Sequence, residues 1–125
     1  MVGIKIKIWP EKYSILKVKK LKPPITISGF SSLTNALNEL SLVCPTNQIP
    51  KIPKESILER NDGWRLITFV AKLDFGMVGF MSKVSTALAK EGISIFVIST
   101  FDTDHLLVKQ KNLEKTKKVL ENLRT

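Results

Sequence analysis

The sequence predicts an α+β protein of two related units, each an antiparallel sheet with helices on one face. Three observations carry that prediction. Residues 64–123 read in the order strand, helix, strand, strand, helix; residues 13–44 echo part of that order; and "GIKIKI" (3–8) alternates Ile with Lys as a half-exposed edge strand does.

The second half supplies the pattern. "WRLITFVA" (64–71) is rich in β-branched and aromatic residues and ends at a polar break, which makes it a strand. In 77–92, Met77, Phe80, Met81, Val84 and Leu88 recur at helical spacing and Gly92 supplies the stop. "ISIFVIST" (93–100) and "HLLVKQ" (105–110) are two short strands forming a hairpin across an acidic turn. In 112–123, Leu113, Thr116, Leu120 and Leu123 share a helix face, and Asn112 is placed to cap it. This is the ferredoxin-like order without its last strand. Residues 3–8 are therefore expected to complete the sheet of the second unit.

The first half repeats the plan with a piece missing. "ISGFSSLT" (27–34) set on 93–100 at an offset of 66 matches Ile27, Ser28, Phe30 and Thr34, and "LNELSLV" follows at an offset of 65, placing Glu39 opposite Asp104. Upstream, 13–20 corresponds to 64–71 at an offset of 51. The 15-residue difference is about the length of the helix in 77–92, so the first unit is expected to lack its first helix. The Asp62-Gly63 pair reads as a turn that separates a closing strand at 57–59 from the next unit, and "PTNQIPKIPK" (45–54) is the one linker-like stretch. The expected units are 1–61, with 3–8 pairing elsewhere, and 62–125.

Composition narrows the functional classes. The longest apolar run falls far short of the roughly 18 residues a membrane helix needs, and the first ten residues lack the apolar stretch of a signal peptide, so a cytoplasmic protein is expected. A single cysteine, Cys44, allows no internal disulfide. The net charge is +9, with 10 basic and 4 acidic residues through position 60 and 10 and 7 beyond it. That even spread reads as solvated lysine rather than a nucleic-acid patch. A basic nucleic-acid-binding module is the alternative, with Phe69, Phe96 and Phe101 as its candidate stacking residues. Arg60, Arg65 and Arg124 occupy no phosphate-binding loop, and no set of nucleophile, base and electrophile is visible. No enzyme activity, cofactor, metal site or catalytic residue is expected.

The segments "ELSLVCP", "GWR", "LDFG" and "GISIFVISTFDTDHLLV" together resemble the small tandem ACT-domain proteins, a family similar to cytosolic arginine sensors and to the regulatory ends of aspartate kinases. The resemblance covers nearly the whole chain, and "ISTFDTD" is its most specific part. It implies a regulatory module that binds a small molecule, an amino acid in most relatives, where ACT units adjoin. The loop entering the first helix carries the ligand in such domains. Here that loop assigns Asp74, Phe75, Gly76, Met77, Val78 and Gly79, with Ser99, Thr100, Asp102 and Asp104 at the facing strand end. The chemistry suits a zwitterion. Glycines let backbone amides approach, a helix N-terminus receives a carboxylate, and aspartates accept from an ammonium. Val78 stands where many relatives carry a hydroxyl.

Each residue also has a structural reading. Asp74 can cap the helix, Gly76 and Gly79 can permit tight packing, and Asp102 and Asp104 can simply form a turn. "DTD" alone makes a poor cation cage. Cys44 reads as a buried small residue and His105 as a polar residue beside the turn. Strands apolar at nearly every position, "LITFV" and "ISIFVI", want cover on both faces, which predicts a homodimer or larger homo-oligomer.

Overall fold

A computed structural model describes residues 5–20, 25–70 and 79–123. Six strands and two α-helices follow one another: β1 (Ile6–Val18), β2 (Ser32–Ala36), β3 (Glu39–Pro45), β4 (Ile57–Phe69), α1 (Phe80–Lys90), β5 (Ile95–Ser99), β6 (Asp104–Lys109) and α2 (Leu113–Glu121). The strands take the order β2-β3-β1-β4-β6-β5 in one sheet. β1 pairs with β3, β2 with β3 and β5 with β6, each antiparallel. By compactness the chain divides into Met1–Pro10 with Arg65–Thr125, and Glu11–Trp64.

The first of these units holds both α-helices. Val84 and Leu88 of α1 and Leu113 and Leu120 of α2 pack with Ile67, Phe69, Leu106 and Val108, while Ile6, Ile8 and Ile95 border the cluster. Alternation along β6 turns His105 and Leu107 to the other face. The edge-on contact of Phe69 with Phe80, centroids 5.1 Å apart, fixes where α1 starts on the sheet. At its far end, the Gly92 N–H donates to the Ala89 carbonyl at 3.0 Å and the Ile93 N–H to that of Leu88 at 3.1 Å. With Gly92 at φ +70°, this is a Schellman stop, and its hydrophobic contact is between buried Leu88 and Ile93. Asn112 does occupy the N-cap of α2, but its side chain makes no capping bond; its carbonyl instead accepts from the Thr116 hydroxyl at 2.8 Å.

Residues 11–64 hold a second core of Leu16, Val18, Leu42, Cys44, Ile49 and Ile52, with Ile25, Ile27, Leu40 and Ile57 at its border. Leu16 lies across from Leu42, and Ser14 across from Cys44. No α-helix occurs among the described residues of this unit. The stretch read as a linker is instead folded into two 3-10 turns, Thr46–Lys51 and Lys54–Ser56, and its Ile49 and Ile52 are buried. Pro45, Pro50 and Pro53 explain the choice: each lacks an N–H, and their spacing denies an α-helix its ladder while short 3-10 turns survive.

Three further expectations need correction. The Asp62-Gly63 pair closes no hairpin, because β4 runs through it from 57 to 69, with Gly63 at φ +83° as a local kink. Residues 3–8 and 13–20 are likewise not separate strands, since β1 continues through Pro10. The ladder to β3 begins only at Tyr13, so a proline at position 10 interrupts no bond on that flank. The strand expected over 27–34 forms at Ser32–Ala36 instead; Ser32 faces Val43 as Ile95 faces Val108, a true offset of 63.

Candidate functional site

Gly79 opens α1 as its N-cap residue. It has φ +84°, and among the described residues no side chain caps the helix and no atom lies within 4 Å of where a Cβ would sit. Its glycine is therefore required by the left-handed backbone, not by crowding. Asp74, Phe75, Gly76, Met77 and Val78 lie outside the described residues.

The β5–β6 hairpin gathers the other candidates. Ser99 ends β5 across from Asp104, which starts β6, and four residues, 100–103, turn the chain between them. The Thr100 N–H donates to the Thr103 carbonyl at 2.9 Å, and the Thr100 hydroxyl donates to the same carbonyl at 3.0 Å. The two threonine hydroxyls lie 2.9 Å apart. Phe101, 79% exposed, and Asp102 form the tip. Ser99 and Asp104 thus face each other at one end of the hairpin, with Thr100 and Asp102 in the turn that joins them.

Beneath this turn lies a polar chain that the sequence reading missed. The Trp9 indole N–H donates to the Thr68 hydroxyl at 2.9 Å, and that hydroxyl lies 2.8 Å from Nδ1 of His105. On its other side, His105 Nε2 reaches the hydroxyls of Thr103 at 2.9 Å and Thr100 at 3.2 Å. The Thr68 hydroxyl has one proton and two lone pairs, so it accepts from Trp9 and still pairs with Nδ1, and the ring bridges Thr68 to the turn in either neutral tautomer. His105 is 6% exposed, and burial pushes its pKa below the ordinary 6.5 against an opposing pull from Asp104. It is a buried, neutral bridge rather than a polar residue at the turn's side. One signal pointed this way: a lone polar residue opening the apolar run "HLLV" needs partners if the strand is buried.

A second fastening lies on β4 itself. The Arg65 guanidinium donates from Nη1 to Gln110 Oε1 at 3.1 Å and from Nη2 to the Trp9 carbonyl at 2.9 Å, tying β1, β4 and the segment before α2. Its Nε is buried with no hydrogen-bond partner among the described residues. Lys7 stacks its ammonium over the Trp9 ring at 3.8 Å.

The other chemistries find less support. Phe69 is 1% exposed in the core, which removes it from the candidate base-stacking residues. Cys44 is fully buried, and burial pushes its thiol up to about 11, against a lowering pull from Arg60. That is the opposite of an activated nucleophile. Among the described residues, no three His, Cys, Asp or Glu side chains gather as metal ligands, and no helix is long and apolar enough to cross a membrane. An open groove of about 600 Å³ runs between α1 and α2, past Lys83, Ala87, Lys90, Val119 and Leu123.

Residues 59–122 match the ACT domain family model. The chain is 29% identical over 100 residues to the human protein named cytosolic arginine sensor for mTORC1 subunit 1, covering 78% of this chain and 30% of that one. It therefore spans less than a third of this curated relative. Among solved structures, protein Atu0741 of Agobacterium tumefaciens superposes with a TM-score of 0.81 at 35% identity, over 98% of this chain and 90% of that one. The ligand-free regulatory subunit of aspartate kinase from Thermus thermophilus shares the fold alone, with a TM-score of 0.65 at 7% identity over 95% of this chain and 97% of that one. With the model matched from β4 to the end of α2, and a relative above 30% identity along nearly its whole length, the chain belongs to the ACT domain family.

Proposed function

We propose that the protein is a non-catalytic regulatory module that binds an amino acid at the loop of Asp74 to Gly79 together with Ser99, Thr100, Asp102 and Asp104. ACT domains are regulatory amino-acid-binding modules, and the family match spans this loop and hairpin. The observation that carries the reading is the hairpin end itself, where Ser99 and Asp104 face each other across the last pair of β5 and β6 and Thr100 and Asp102 lie in the four-residue turn between them, in a protein of net charge +9. Acid gathered there suits a cationic group of the ligand. The human relative, a cytosolic arginine sensor by name, makes L-arginine the first ligand to test, and its guanidinium offers five donors to such oxygens.

Thermal unfolding in the presence of each of the twenty amino acids tests the proposal. A ligand present at about 100 times its Kd adds roughly 2.7 kcal/mol of stability. A rise in Tm with one or a few amino acids is expected, and twenty unchanged curves at millimolar concentration overturn it. We also read residues 11–64 and the remainder as two tandem ACT units working in the cytoplasm as a homodimer or larger assembly. In support, Phe96 and Ile98 lie on the face of β5 turned from the helices and stay only half buried. Sedimentation as a monomer at micromolar concentration contradicts the assembly.

A further inference from the structure

We infer that His105 is a positioning residue: by bridging Thr68 to Thr100 and Thr103 it holds the 100–103 turn ready, so that a ligand meets groups already in place. The inference rests on the reading above, in which this turn forms part of the amino-acid site.

Its geometry is that of a latch. Four-residue turns at loop tips are ordinarily among the more mobile parts of a fold. Here the turn is tied across itself by the bonds from Thr100 to the Thr103 carbonyl. It is also tied downward by the ring, whose two nitrogens face opposite ways, 2.8 Å from Thr68 and 2.9 Å from Thr103. Thr68 is in turn held by Trp9, so the ring is anchored to β4 and through it to β1. Because the ring is 6% exposed, water cannot readily substitute for either partner. An apolar ring of similar size would keep the packing and lose both bonds. Binding would then carry the entropy of ordering the turn, which in the native protein is spent during folding.

The protein contains one histidine, so its ring signals need no assignment. The test compares the intact chain with His105→Phe, His105→Gln and Thr68→Val. In the native protein, long-range ¹H–¹⁵N spectra at neutral pH are expected to show a neutral ring held in one tautomer, as bonds at both nitrogens require. Hydrogen exchange at the Thr100 amide is expected to rise about tenfold or more in His105→Phe and Thr68→Val, with the Leu120 amide in α2 unchanged. His105→Gln keeps a donor near the Nε2 position and is expected to restore part of the protection. With L-arginine as probe, affinity is expected to weaken about tenfold in His105→Phe and less in His105→Gln.

Unchanged Thr100 exchange in both His105→Phe and Thr68→Val overturns the inference. So does faster exchange with unaltered affinity, since the turn would then be no part of the site. If the native protein binds no amino acid, the ligand reading fails instead, and the exchange data, which need no ligand, distinguish that outcome.

Discussion

The Ser14 hydroxyl donates to the Asp62 carboxylate at 2.7 Å, joining β1 to the kinked middle of β4. Ser14 is fully buried and has one proton to give, so the Thr46 hydroxyl, 2.8 Å away, must donate to it in return. On its outer side, Asp62 is gripped by Arg60, with Nη2 2.9 Å from Oδ2. The bond explains how an Asp-Gly pair that would otherwise suit a turn is held inside a strand.

Removing either partner is expected to have unequal effects. Asp62→Ala strands a buried hydroxyl and leaves Arg60 without its anion, and should lower unfolding free energy by about 1–3 kcal/mol. Ser14→Ala removes the small donor while Arg60 still pairs with Asp62, and should lower it by about 1 kcal/mol. Urea unfolding of the two variants checks the order, and a Ser14→Ala variant less stable than Asp62→Ala would contradict the assignment.

His105 predicts a pH dependence with a definite sign. Its folded pKa lies below the unfolded value near 6.5, so between the two the unfolded chain binds more protons. The stability contributed by the neutral ring is complete above pH 6.5 and is lost as pH falls from there toward the folded pKa. The slope from this one group cannot exceed about 1.4 kcal/mol per pH unit. Urea midpoints at pH 7.5 and 5.5 should differ in the native protein, and the difference should shrink in His105→Gln.

Cys44 should resist modification. With its pKa at about 11, roughly a thousandth of the thiol is ionised at pH 8, and the side chain is fully buried besides. Thiol titration with an aromatic disulfide reagent is expected to be negligible over an hour in buffer and complete within minutes in strong denaturant. Rapid reaction in the native protein would show that this strand opens freely.

Two glycines separate backbone requirement from crowding. Gly63 and Gly92 have φ of +83° and +70°, and no atom lies within 4 Å of a built Cβ at either. Alanine at each position should cost about 1–2 kcal/mol through the left-handed backbone alone, and asparagine less. Equal stability of the alanine and glycine forms in thermal unfolding would contradict this.

What could be read from the sequence depended on how local each signal was. The helix at 80–90 was visible because Phe80, Val84 and Leu88 repeat within one window and Gly92 ends it. The hairpin of β5 and β6 was visible because two apolar runs flank a polar turn. The continuity of β1 and β4 was not, since Pro10 and Asp62-Gly63 are strong local breaks that only pairing with distant strands overrules. The match of 27–34 to 93–100 misled because the loop at 100–103 is two residues longer than that at 37–38, so identity of residues and identity of position part company. For the candidate site, the sequence made legible that Ser99, Thr100, Asp102 and Asp104 lie at one hairpin end. The bridge beneath them was not, because His105 meets Thr68 across 37 positions and Thr68 meets Trp9 across 59.

One of the two edge strands, β2, has consequences for how the protein behaves in concentrated solution. Five residues long and largely exposed, it carries Leu33 at 56% exposure and is followed by Leu37 at 91%. An open backbone edge with nearby aliphatic groups invites strangers to add on, and the surplus of lysine is what keeps like molecules apart. Added salt shortens the reach of that repulsion to about 10 Å at 0.1 M. Clouding on storage should therefore worsen as ionic strength rises, and a lysine in place of Leu37 should slow it without altering the melting point.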